Sequence, residues 1–225
     1  MNGGRGPRQL TLDLDHAESY ARDDFLGGPS NAAALTLIDS WPDWPNRIVA
    51  LVGPEGAGKS HLASIWAAQA GARCVAARAL SDIPATLATG ALVIEDAAEA
   101  RFDETAMFHL LNLARQEEAF VLLTARTAPG TWTVRTPDLA SRLKALPVIA
   151  LAPPDDSLLR AVLVKLFADR QISVDEQLIG YVATRIGRSF ADAQAAVAAL
   201  DQEAMRRKRP LTRALAAEVL RLPDP

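Results

Sequence analysis

The sequence predicts an α/β fold: a five-stranded parallel sheet flanked by helices, followed by a small C-terminal helical domain. Three observations carry this prediction. The run Arg47-Ile48-Val49-Ala50-Leu51-Val52 leads straight into the glycine-rich stretch Gly53–Ser60 and then into the helical pattern His61-Leu62-Ala63-Ser64-Ile65-Trp66, the strand–loop–helix order of a phosphate-binding loop. Short apolar runs then alternate with helical segments as far as Leu151, which implies a parallel sheet covered on both faces. Beyond Pro153-Pro154 strand signals stop and only helical periodicity continues.

Element by element, residues 1–24 form a tail in which glycine, proline and charge surround one patterned segment. Ser30 is placed to cap a helix running through Asn31–Ile38, ended by Trp41-Pro42-Asp43-Trp44-Pro45. After the first strand and its helix, Cys74–Ala77 is a short strand, with a brief helix near residues 82–88. Ala91–Ile94 reads as a buried strand, and Asp103 opens a helix from Glu104 to Glu117. Phe120–Thr124 and Val148–Leu151 are further buried-strand runs. Between them Thr136 starts a short helix with Pro137 at its first position. In the C-terminal part, Asp155 or Asp156 caps a helix through Leu158, Leu159, Val162, Leu163 and Leu166. Further helices span about 175–186, 190–208 and 212–221. The expected domains are therefore 1–24, 25–152 and 153–225.

Composition narrows the class. The chain has 225 residues, 49% of them hydrophobic and 23% charged, ordinary for a globular protein with a substantial core. A net charge of -3 argues against a broad basic face for nucleic acid. The single cysteine, Cys74, excludes an internal disulfide and a cysteine metal cage. His16, His61 and His109 show no ligand spacing. No apolar stretch approaches the length of a membrane span, and the basic start Met1–Arg8 lacks the apolar core of a signal peptide. The expectation is a cytoplasmic protein.

The site chemistry begins at Gly53-Pro54-Glu55-Gly56-Ala57-Gly58-Lys59-Ser60, which fits G-x-x-x-x-G-K-[ST]. Glycines let backbone N–H groups turn around phosphate oxygens, and the following helix, from His61, presents its positive end. Lys59 reaches the β- and γ-phosphates and the Ser60 hydroxyl holds Mg²⁺, so ADP or ATP is the expected ligand. Glu95 and Asp96 end a buried strand, where an acid associated with Mg²⁺ belongs. P-loop ATPases usually place Asp first and many place Glu second. Here the order is reversed, which predicts binding with slow intrinsic hydrolysis. Thr124 ends the next strand. Position alone leaves it, or Arg126, equally a nucleotide sensor or an ordinary strand end. Arg142 precedes the last strand; alone it is better read as a surface arginine than as an arginine finger. Gln9-Leu10-Thr11-Leu12-Asp13-Leu14 alternates leucines, as an edge strand or, slightly favoured, as an extended recognition peptide. Arg206-Arg207-Lys208-Arg209 complements the end of a helix.

Together these residues resemble the AAA+ ATPase module of the replication initiator DnaA and, within that family, the short Hda-type regulators. The resemblance covers almost the whole chain. Asp24–Asn31 is similar to the segment that helps hold the nucleotide, Ile94-Glu95-Asp96 to the second acidic motif, and Leu122–Arg126 to the first sensor. Pro137–Leu143 is similar to the arginine-finger box, which raises Arg142 to a strong finger candidate. Gln9, Leu10, Leu12 and Leu14 match the peptide with which these regulators bind the sliding clamp, the β subunit of DNA polymerase III. The second-sensor arginine is absent in this register: Asp192 stands there, with Arg188 one turn earlier as a substitute.

The resemblance implies a negative regulator of chromosomal replication initiation. It would bind the DNA-loaded clamp and DnaA and stimulate ATP hydrolysis by DnaA in trans. The helical region running to Pro225, and about 16 residues between Cys74 and Ala91, lead to the expectation that both DNA-binding devices of the initiator are missing. Two rivals stand beside this: a self-acting AAA+ ATPase of helicase-loader type, and a nucleotide-gated adaptor without catalysis. Self-association stays open.

Overall fold

A computed structural model describes residues 21–82, 89–98 and 101–220. Five strands form one parallel sheet: β1 (Ile48–Val52), β2 (Arg73–Ala76), β3 (Ala91–Glu95), β4 (Phe120–Ala125) and β5 (Val148–Ala150), in the order β2-β3-β4-β1-β5. β1 lies between β4 and β5, with Leu51 opposite Thr124 and Ile149. Every residue of β1 is buried, as expected for a central strand that helices cover on both faces.

Period-2 alternation divides these strands between two cores. Ile48, Ala50 and Val52, with Leu92, Ile94, Val121 and Leu123, face one side. There they meet α3 (Glu104–Gln116) and α4 (Pro137–Lys144) through Met107, Leu110, Leu111, Leu139 and Leu143. Val49, Leu51, Val93 and Leu122 face the other side, against α1 (Ala32–Asp39) and α2 (Lys59–Ala70). Trp66 of α2 is fully buried and stacks on Trp44 at 4.8 Å. The expected helix near residues 82–88 lies largely outside the described residues; a 3-10 turn, Ala77–Asp82, precedes it.

Two expectations need correction. Val148–Leu151 is not a buried-strand run: β5 is an edge strand whose Val148 and Ala150 are exposed. Its helical cover comes from one side, and only Leu151 beyond it is fully packed. The cap of α1 is Asn31, not Ser30. The buried Asn31 amide accepts from Gly28 N–H at 2.8 Å and donates to the Leu26 carbonyl at 3.0 Å, so it ties down the segment before the helix.

Four helices follow: α5 (Asp156–Asp169), α6 (Glu176–Ala183), α7 (Phe190–Arg207) and α8 (Arg213–Val219). Asp155 caps α5, accepting from Leu158 N–H, and Asp175 caps α6 in the same way. Their apolar faces make a third core of Leu159, Leu163, Phe167, Leu178, Val182, Val197 and Leu200. This core contains no residue of the sheet. Arg206 and Arg207 are both bound to Glu203, whose carboxyl pKa they hold down to about 2, so one of the four charges of the basic run is offset within its own helix. Among the described residues no helix is long and apolar enough to cross a membrane.

Candidate nucleotide site

The loop Gly53–Gly58 joins β1 to α2 at the carboxyl edge of the sheet, where ligands of open parallel sheets bind. Its glycines have separate reasons. A Cβ on Gly53 would stand 2.6 Å from the Leu151 carbonyl oxygen. Gly58 caps α2 with φ +94, a conformation that favours glycine. The Lys59 ammonium donates to the carbonyls of Gly53 and Pro54, both at 2.9 Å. It therefore lies folded over the loop whose ligand it is expected to meet. Ser60 stands exposed in the first turn of α2.

The acids and the sensor candidate meet on one rim. The Thr124 side chain, 1% exposed, accepts from Asp96 N–H at 3.2 Å, and its carbonyl accepts from Ala97 N–H at 2.9 Å. These bonds hold Asp96 at φ +55, a left-handed conformation uncommon outside glycine, and join the ends of β3 and β4. Glu95 is half-buried; burial, and then the neighbouring Asp96 carboxylate, push its carboxyl above the ordinary range. A partly desolvated acid beside a second acid is a donor set that a cation would relieve. Such a carboxylate, with the exposed Ser60 hydroxyl at the start of α2, is oxygen chemistry of the kind that would suit Mg²⁺. Across the loop, Arg126 pairs with Glu55 at 2.7 Å.

The C-terminal helices close over this loop. Phe190 N–H donates to the Gly56 carbonyl at 2.8 Å, and a Cβ on Gly56 would meet that of Ser189 at 2.6 Å. Phe25 and Phe190 flank Gly58, and Phe25 packs edge-on to His61 at 5.1 Å. Ser189 caps α7, accepting from Asp192 N–H at 3.0 Å, while its hydroxyl donates to the Asp192 carboxylate at 2.6 Å. Asp192 is thus part of a reciprocal cap, and Arg188 pairs with Asp156 at 2.8 Å. Ser189→Ala removes this cap and is expected to cost about 1 kcal/mol, read as a lower urea midpoint at unchanged slope.

Arg142 lies in the last turn of α4, its guanidinium 5.0 Å from the centre of the Phe108 ring. Its described contact is to α3, not to the P-loop or its acids. Gln9, Leu10, Leu12 and Leu14 lie outside the described residues. Sequence reasoning missed Phe190, Ser189 and Glu104, all of which contact site elements. Only the spacing from Ser189 to Asp192, the S-x-x-D pattern of a helix start, is a legible signal.

No protein-family model matches the chain, and no curated protein matches it in sequence. Solved structures do match. Domain III of DnaA from Thermotoga maritima superposes with TM-score 0.74 at 17% identity, over 91% of this chain and 96% of that one. The fold is that of DnaA domain III. AMPPCP-bound DnaA from Aquifex aeolicus matches with TM-score 0.70 at 14% identity, over 85% of this chain and 70% of that one. A RuvB variant from Thermotoga maritima gives 0.71 at 17%, over 90% and 71%. The chain therefore shares with these DnaA and RuvB structures a fold of a parallel α/β sheet followed by helices.

Proposed function

We propose that this chain is a nucleotide-binding negative regulator of replication initiation of the Hda type. Residues 1–24 form a tail that carries the clamp-binding peptide, 25–152 a nucleotide-binding domain, and 153–225 a helical lid. ADP or ATP, with Mg²⁺, sits on Gly53–His61; Glu95 and Asp96 serve the ion and the attacking water, and Thr124 orders their strand ends. The AMPPCP in the Aquifex aeolicus structure supports an adenine nucleotide. Bound to the DNA-loaded clamp, the protein presents Arg142 to the nucleotide of DnaA and stimulates its hydrolysis.

The observation that carries this reading is the separation of functions within one AAA+ fold. Arg142 rides on its own short helix, held from α3, away from the loop that its own chain offers to phosphate. An arginine placed so meets the phosphates of a neighbour, where such a group can accelerate hydrolysis by on the order of 10³–10⁵. The deciding experiment follows ATP pre-bound to DnaA, with this protein, clamp-loaded DNA, or both. Hydrolysis stimulated only by both supports the reading; no stimulation with nucleotide binding intact overturns it. Gln9→Ala with Leu12→Ala is expected to abolish association with the clamp in a pull-down or anisotropy titration, and retained association removes residues 9–14 from the role. The self-acting ATPase reading draws on the same rim of Glu95, Asp96 and Thr124. It requires robust turnover by the protein alone, lost in Glu95→Ala.

A further inference from the structure

Glu104 and Phe108 stand one turn apart on α3, the spacing at which helix side chains share a face. They meet opposite ends of α4. Both Glu104 carboxylate oxygens accept from Arg135 N–H, at 3.0 and 3.1 Å. One of them also accepts from Thr136 N–H at 2.8 Å and from the Thr136 hydroxyl at 2.7 Å. Thr136 occupies the cap position of α4 yet makes no side-chain cap bond into that helix. Its hydroxyl is directed to Glu104 instead, so the start of α4 is fixed from α3 rather than from within. At the other end the Arg142 guanidinium lies over the Phe108 ring. Leu139 and Leu143, both buried against α3 and the sheet, set the rotation of α4 between these points.

The arrangement exceeds what a surface loop needs. Elsewhere in the stretch between β4 and α4 the chain is held by the Pro129–Thr131 turn, by the Trp132 indole donating to the Thr127 carbonyl at 3.1 Å and packing on Phe102, and at its start by the Arg126–Glu55 pair. Its last two residues have their main-chain N–H groups bound to one carboxylate 31 and 32 residues away in sequence. These bonds also hold the Glu104 carboxyl below the ordinary range, so it stays ionised and accepting throughout the neutral region.

We propose that Glu104 is a positioning residue for Arg142: it anchors the first turn of α4 while Phe108 carries the guanidinium, so the arginine points in one direction before a partner arrives. The inference rests on the reading of Arg142 as a finger acting in trans. A displacement of about 1 Å at such a group can cost on the order of 10²-fold in rate. An arginine pre-set by its own helix avoids that loss.

The test compares the full chain with Glu104→Ala, Glu104→Gln and Arg142→Ala in two measurements. Amide hydrogen exchange of residues 137–145 reports whether α4 is anchored, whatever Arg142 does. The stimulated hydrolysis of the preceding section, titrated with each variant, separates maximal rate from half-saturation. For Glu104→Ala the expected result is faster exchange in α4 with β1 and β3 unchanged. Nucleotide affinity is also unchanged, and the maximal rate falls by on the order of 10- to 100-fold with half-saturation held. Glu104→Gln keeps an acceptor oxygen for Thr136 and recovers part of the rate; it also serves if the alanine variant fails to fold. Unchanged exchange in α4 overturns the inference. So does a normal maximal rate in Glu104→Ala where Arg142→Ala has none. If Arg142→Ala stimulates as well as the parent, the finger reading itself has failed and the inference falls with it.

Discussion

Replacing Arg142 with alanine is expected to remove nearly all stimulated hydrolysis in the partner, a loss on the order of 10³- to 10⁵-fold, while nucleotide binding by the chain's own P-loop is untouched. The reason lies in where the side chain sits. The apolar residues of α4 that build the core are Leu139 and Leu143, whereas Arg142 is half-buried and contributes one contact to the Phe108 ring. Losing a cation–π contact of this kind costs about 0.5–1 kcal/mol, too little to unfold a domain of this size. The substitution therefore isolates chemistry from folding. Single-turnover hydrolysis of ATP held by DnaA is the measurement, with thermal denaturation as the control; retained stimulation would remove Arg142 from the mechanism.

Lys59→Ala is expected to weaken ADP and ATP binding by about 10- to 100-fold. A hydrogen bond to a charged group contributes about 1.5–3 kcal/mol, and each 1.4 kcal/mol is tenfold. In this structure the ammonium is already satisfied by two neutral carbonyls, Gly53 and Pro54. Phosphate oxygens are expected to displace them because an ionised acceptor adds a charge attraction that a neutral carbonyl lacks. Calorimetric titration with ADP checks the effect. An affinity equal to that of the parent chain would mean that the loop does not hold phosphate through this lysine.

Much of this was legible because it is local. The Gly53–Ser60 pattern, the buried runs of β1, β3 and β4, and the Asp103 and Asp155 caps all depend on neighbours in sequence, and all are found. Pro137 at the first position of α4 belongs with them. What stayed hidden depends on strand order or on distant partners. Val148–Leu151 carries the apolar composition of a covered strand, but its place at the sheet edge exposes it. Nothing near Asn31 announces that its amide will bind Leu26 and Gly28 in preference to a Ser30 cap. The bond from Asp96 to Thr124 spans 28 residues, and that from Thr136 to Glu104 spans 32. Such pairings appear only when the sheet brings strand ends together. The register that put Asp192 at a sensor position was likewise silent on its bond to the Ser189 hydroxyl.

Gly56 occupies one of the four variable positions of its motif, where phosphate chemistry asks for no particular residue. The structure supplies other reasons for a glycine: its backbone stands at φ +71, its carbonyl is held by Phe190, and a side chain there would run into Ser189. Positions 56 and 189, 133 residues apart in a chain of 225, thus constrain each other through this contact. A lineage that gains a side chain at 56 must relieve both the contact with Ser189 and the left-handed backbone, and one free of the contact still keeps the second constraint. Covariation of these two columns among relatives would then mark which of them keep the start of α7 seated on the loop.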